Sequence, residues 1–285
     1  MQKILLAAVA LFLAAPAVAE YKTIDELARA YSVETCRSCH AGTHEEWEAS
    51  LHSRSVVHSL GGMRNFIVVG LGQEWEKPVT REHLMRCMEC HAPQLRHASE
   101  SLAKEVARLI VAAVDEKDEG KKAAAGKELE KLNVNCIVCH NMKIGAEKNL
   151  RGAPAAGVYY GPTGKASPAH KTEKSADITS AIFCGQCHGV LAAADGEWVV
   201  CNTLYGSYQD AYRGNGGTET CQDCHMKAKN RGHRFPGAYD ADILKDGISL
   251  DVQAVGVKLT PGKWVPTAIV NVGLRNQAGH RIPDG

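Results

Sequence analysis

The chain is 285 residues long, with 33 basic and 32 acidic side chains and a formal net charge of +1. Both signs are mixed along it, which excludes a basic nucleic-acid stripe, and the length admits one or two domains. Eleven cysteines and 13 histidines mark its departure from an ordinary composition.

Residues 1–19 read as a secretory signal. Lys3 is the charged start, Ile4 to Ala15 the apolar run, Ala17-Val18-Ala19 the cleavage site and Glu20 the first mature residue. The run is too short for a spanning helix. The first cysteine is Cys36, too far along for a lipid-anchored residue at the cleavage site. A periplasmic or extracellular protein without a membrane span is expected; a single uncleaved anchor is the rival reading.

Thr23-Ile24-Asp25-Glu26 matches a capping box and should start a short helix. Cys36-Arg37-Ser38-Cys39-His40 follows. A second box, Thr43-His44-Glu45-Glu46, should start a helix running through Trp47 and Leu51 towards His58 and ending at Gly61-Gly62. Cys87-Met88-Glu89-Cys90-His91 comes next. Residues 100–132 carry the clearest helical period, with Leu102, Val106, Ile110 and Val114 four apart. Asp118-Glu119-Gly120 supplies a turn and a Lys/Ala-rich helix returns to Asn133, so a helical hairpin is expected. Cys136-Ile137-Val138-Cys139-His140 closes it. Gly, Pro and Ala make residues 145–168 a loop. Cys184-Gly185-Gln186-Cys187-His188 and Cys221-Gln222-Asp223-Cys224-His225 complete the set. From Ile248 the period becomes two, in Ile248, Leu250, Val252 and again in Val270, Val272, Leu274, around a Thr260-Pro261-Gly262-Lys263 turn. This is a β-hairpin pattern. Two strands alone are marginal, so residues 241–285 either pack on the body or belong to an incomplete domain.

The same five-residue word thus occurs five times. One copy of Cys-x-x-Cys-His could be half a zinc site or a redox dithiol. Zinc needs paired cysteine elements or a His-x-x-x-His tail, and a disulfide framework leaves the closing histidine unexplained. Five copies, each closed by histidine, fit c-type haem attachment. Two thiols form thioethers to the macrocycle and the histidine binds iron. Five covalent haem c groups are expected, on Cys36, Cys39, Cys87, Cys90, Cys136, Cys139, Cys184, Cys187, Cys221 and Cys224. Their proximal iron ligands would be His40, His91, His140, His188 and His225. Cys201 is left over and reads as an inert thiol, with an intermolecular disulfide as the rival. Past the signal only Phe66, Phe183 and Phe235 remain among the phenylalanines. Haem should therefore replace much of the side-chain core, and the apoprotein should fold poorly. The expected fold class is mainly α with much irregular loop. It comprises a haem-packed multihaem body over 20–240, the hairpin at about 100–132 and the short β segment after it.

A second protein ligand closes an iron and leaves it an electron carrier; an open position permits substrate chemistry. Eight histidines lie outside the words: His44, His52, His58, His83, His97, His170, His233 and His280. His44 and His97 follow their own words too closely to reach the far face of the same haem. His52 and His58 follow Trp47 on one helix, and His170 precedes the fourth word. His233 and His280 share a Gly-His-Arg-apolar-Pro setting. These five are the distal candidates, with methionine as a rival ligand type.

Several of these segments resemble the multihaem cytochrome family related to hydroxylamine oxidoreductase and its tetrahaem acceptor cytochrome. They are Cys36-x-x-Cys39-His40 with Trp47, Ser50 and His52; Phe183 to His188 with Tyr205; Cys221 to Met226; and Gly279-His280-Arg281-Ile282-Pro283. The resemblance implies closely packed haem pairs, two histidines on most irons, and His52, His170, His233 and His280 as distal ligands. It also implies a place in respiratory electron transport. The expected function is electron transfer along low-spin haems, without substrate chemistry of its own. Expected partners are other cytochromes or a membrane quinol oxidoreductase, and an oligomer or filament stays open. The alternative is a reductase or oxidase of nitrite, hydroxylamine or a sulfur oxyanion with one open iron. Pentahaem nitrite reductases carry lysine in the catalytic word, whereas all five words here end in histidine.

Overall fold

The computed structural model of the chain describes residues 20–72, 79–141, 157–189, 191–192, 198–199, 203–282 and 284. The expected signal, Cys201 and much of the expected 145–168 loop lie outside the described residues. The fold is mainly helical, with short strands and much loop.

Helices α1 (Ile24–Ala30), α2 (Glu34–Arg37) and α3 (Ala41–Glu48) open the body. The Thr23 box forms as expected, with Glu26 N–H donating to Thr23 and the Thr23 amide to Glu26. The Thr43 box does not form. Helix α3 begins directly after His40, and Thr43 lies inside it. Nor does that helix reach His58: it gives way to single turns at His52–Arg54 and Val57–Ser59. Gly61 and Gly62 do not end a helix but lie within α4 (Leu60–Asn65), where Met63 of the same helix is buried. Packing there outweighs the glycine cost of about 1 kcal/mol each.

Helix α5 (Arg81–His91) carries the second word, and α6 (Glu100–Asp115) and α7 (Glu119–Leu129) form the expected hairpin. Asp118 caps α7 by accepting the Gly120 and Lys121 amides, so Gly120 is helical and not part of the turn. The buried face of α6 is Leu102, Ala103, Val106, Ala107, Ile110 and Ala113. Val114 is displaced from that stripe because 3.6 residues per turn drifts from a strict four-residue repeat.

Helix α8 (Cys136–His140) follows, capped by Asn135, whose side chain accepts the Ile137 and Val138 amides and donates to the Tyr31 carbonyl at 3.0 Å. Asn135→Ala should destabilise the protein by about 1–2 kcal/mol, since a buried cap is lost; chemical denaturation measures this.

A substantial apolar core runs from Ile24 to Val138, built on Leu27, Ile67, Leu84, Met88, Leu95, Leu102, Ile110, Leu129 and Leu132. The expectation of a thin side-chain core therefore fails for this half. Beyond Val138 the buried apolar side chains among the described residues are Tyr160 and Tyr208.

Strand β1 (Val158–Gly161) pairs in parallel with β2 (Lys171–Lys174), directly after His170. Helix α9 (Ala181–Gly185) bears the fourth word; β3 (Leu191–Ala192) pairs with β4 (Trp198–Val199). Helices α10 (Leu204–Ala211) and α11 (Ala241–Gly247) precede the terminal hairpin of β5 (Ile248–Thr260) and β6 (Lys263–Asn276). Its register sets Leu250 opposite Leu274 and Val252 opposite Val272, with Pro261-Gly262 at the tip. That apolar face is exposed; Leu250 and Leu274 are 63% and 73% accessible. The chain then returns to α10. The Arg281 amide donates to Ser207 at 3.2 Å, and Asp284 accepts from the Thr203 amide and hydroxyl at 2.8 and 2.7 Å. This return positions His280. No helix among the described residues is long and apolar enough to cross a membrane.

Candidate metal centres

Each word folds as one helical turn. The His40 amide bonds the Cys36 carbonyl at 2.8 Å, and the His188 amide the Cys184 carbonyl at 2.9 Å. The second and third words lie within α5 and α8, and the fifth runs into a widened turn over Asp223–Lys227. A helical turn brings residues three and four apart onto one face. Both thiols and the imidazole of a word are then presented together. The two variable letters anchor the turn. Met88, Ile137 and Val138 enter the core, while buried Gln186 and Gln222 donate to the carbonyls of Phe183 and of Ile178 and Ser180.

Three closing histidines each face one histidine from elsewhere in the chain. The ring centroids of His140 and His233 are 6.3 Å apart, those of His225 and His280 6.2 Å, and those of His188 and His52 6.1 Å. An imidazole nitrogen binds a metal at ~2.0 Å, with the ring centre about 1.15 Å further, so two rings opposed across one metal stand ~6.3 Å apart. All three pairs match that spacing.

The Nδ1 atoms carry the second half of the argument. Nδ1 of His91 meets the Ser55 carbonyl, that of His140 the Tyr160 carbonyl and that of His225 the Pro236 carbonyl, each at 2.8 Å. Nδ1 of His280 meets the Arg281 carbonyl at 2.9 Å. A carbonyl only accepts, so Nδ1 carries the proton and Nε2 keeps the lone pair. This is the usual orientation of a metal-binding imidazole. Desolvation pushes His52 down to about 4, helped by His188, His233 and His91. It also lowers His91, His140, His225 and His233. These rings are held neutral, the form that binds metal.

The thiols pair across distant words. Cys36 hydrogen-bonds Cys136, whose own burial, with the charge of Cys36, raises it to about 11. Burial pushes Cys139 up to about 12. Cys184 donates to Cys221, which raises the first and lowers the second. The contacts bring the first word beside the third and the fourth beside the fifth.

The other candidate histidines have different neighbours. His58 is exposed and faces Tyr239 at 6.2 Å, not a word histidine. His170 packs edge-on against Tyr159 at 4.8 Å, and both His170 and His40 bear electrostatically on His140. Among the described residues no second imidazole stands at the opposed spacing from His40 or His91. His83 accepts the Thr80 amide in a capping box, and His97 stacks on Tyr31. Met63 and Met88 are buried in the core. His44, set aside from the distal candidates, is buried against Trp47 with neither ring nitrogen hydrogen-bonded. Only burial, which sequence does not display, marks it out.

No group of three or more His, Cys, Asp or Glu among the described residues is arranged to hold a metal ion. A porphyrin supplies four ligands itself and asks the protein for two at most, which is what each facing pair offers. Comparison of the chain with family models, curated proteins and solved structures found no match.

Proposed function

We propose that the chain is an exported pentahaem c-type cytochrome that passes electrons between redox partner proteins. The observation that carries this reading is the set of three facing histidine pairs, each with one member from a Cys-x-x-Cys-His word. The five words provide ten thiols for attachment. The haem supplies one-electron ferric/ferrous chemistry when bound. The polypeptide does the rest. His140 with His233, His188 with His52, and His225 with His280 would hold three of the irons when haem is bound. The backbone carbonyls on Nδ1 fix ring orientation and donor strength, hence potential. Closed coordination leaves no position for substrate, which suits a carrier. The leader at 1–19 supports a periplasmic or extracellular location, where other cytochromes or a membrane quinol oxidoreductase would be its partners.

A second reading rests on a separate observation. His40 and His91 lack an opposed imidazole at the same spacing among the described residues. An iron on either word would stay open unless another side chain reaches it. That is the arrangement a reductase or oxidase of a small nitrogen or sulfur oxyanion needs.

Three measurements on one preparation test both readings. Intact mass of the secreted protein should equal the mature chain plus five haems. The oxidised spectrum should contain at least three low-spin centres. Carbon monoxide added to the reduced protein should leave those three unchanged; binding at one or two further centres favours the second reading. A colourless, folded preparation ends both.

A further inference from the structure

The segment between the fifth word and α11 concentrates unusual backbone. Lys229, Asn230 and Phe235 are the non-glycine residues with positive φ among the described residues, at 53°, 52° and 44°. Such a conformation is strained and persists where the surroundings over-determine it. Here they do. Lys229 and Arg231 ion-pair with Asp246 of α11 at 2.7 and 2.5 Å, and Arg231 also donates to the Cys224 carbonyl at 2.7 Å. Gly232, itself at φ 58°, lies so near Glu46 that a Cβ there would overlap the carboxylate. The next amide, that of His233, donates to Glu46 Oε2 at 2.9 Å. Glu46 comes from α3, the helix that starts at the first word.

Three centres meet in the five residues 232–236. His233 faces His140 at 6.3 Å. The Phe235 ring stands edge-on to His52, at 4.6 Å and 80°, and to His233, at 5.5 Å and 82°. The Pro236 carbonyl orients His225 at 2.8 Å. We infer that this turn, braced by Glu46, is one positioning device shared by three metal centres, with Phe235 wedged between two distal imidazoles. The inference rests on the haem reading above. Glu46 has a second effect. Its carboxylate lies 4.0 Å from His233 Nδ1, where His91, His140, His225 and His280 each meet a carbonyl. A carboxylate beside a ligand imidazole strengthens it as a donor and favours the oxidised metal. Glu46 therefore holds down the potential of the His140–His233 centre. Neither Glu46 nor Phe235 binds iron; both are positioning residues.

Two conservative holoprotein variants test this. Glu46→Gln keeps an oxygen for the His233 amide and removes the charge. Phe235→Leu keeps apolar volume and removes the flat ring. Haem is counted by intact mass, the oxidised proteins are read by electron paramagnetic resonance, and potentials are measured by spectroelectrochemical titration. With five haems retained, Phe235→Leu should shift the low-spin g values of two centres and leave the rest. Glu46→Gln should raise the midpoint potential of one centre, and Glu46→Asp should restore it. Spectra and titration curves that superimpose on the parent's, at full haem content, overturn the shared device alone. Fewer than five haems in the parent overturns the underlying reading, and the same mass spectrum tells the two failures apart.

Discussion

A protein carrying Cys136→Ser and Cys139→Ser should be secreted with one haem fewer and a melting temperature lowered by roughly 10 °C. The third word is the most embedded of the five. Cys136 touches Cys36 of the first word, Ile137 and Val138 belong to the apolar core, and Asn135 ties the turn to Tyr31. Without its metal, His140 keeps only the Tyr160 carbonyl and His233 only the Glu46 side. Each desolvated imidazole nitrogen left without a partner costs about 1–3 kcal/mol, and the apolar contact with the macrocycle is lost as well. The same change at the first word, Cys36→Ser with Cys39→Ser, should cost less, because Cys39 and His40 are exposed. Intact mass and thermal melting followed at the haem absorbance check both. Equal melting temperatures for the two double variants would contradict this account of the third word.

His52→Ala should convert one low-spin centre to high spin and add one carbon monoxide bound per reduced protein relative to the parent. His52 is the imidazole opposed to His188, it is held neutral down to about 4 by desolvation, and Phe235 packs its edge. Alanine cannot bind iron, so the sixth position opens. His58→Ala is the matched control, since His58 is exposed and sits against Tyr239. It should leave the spectrum and the gas stoichiometry unchanged. Indistinguishable His52→Ala and parent proteins would break the pairing of His52 with His188. A change in His58→Ala would place that residue back among the ligands.

Local features were legible from residue order. The Thr23 box, the 100–132 hairpin and the terminal β-hairpin around its Thr260–Lys263 turn follow from short-range patterns, and each is present. The Thr43 box and the Gly61-Gly62 stop did not form, because packing of α3 and α4 outweighs local propensity there. The core between Ile24 and Val138 was underestimated. It is built from leucine, isoleucine, valine and alanine, so a count of aromatic residues undervalues it. Glu46 and Phe235 stood out only as members of short patterns, the second capping box and the Gly-His-Arg-apolar-Pro setting, and neither pattern points to the role of its side chain. Their importance comes from what stands beside them across more than 180 residues of chain.

Residue order alone shows where the five Cys-x-x-Cys-His words lie and which histidine closes each one. That chemistry is contained in a single helical turn, with ligating atoms three and four residues apart. Folding alone brings the paired rings together, with His233 6.3 Å from His140, His52 6.1 Å from His188 and His280 6.2 Å from His225. It also places His58 beside Tyr239, and among the described residues no ring pair joins His40 or His91 to a second imidazole. Opposition across a metal is a relation between remote segments. It is fixed by how α3, α8, α10 and the 232–236 turn pack, and no local spacing encodes it.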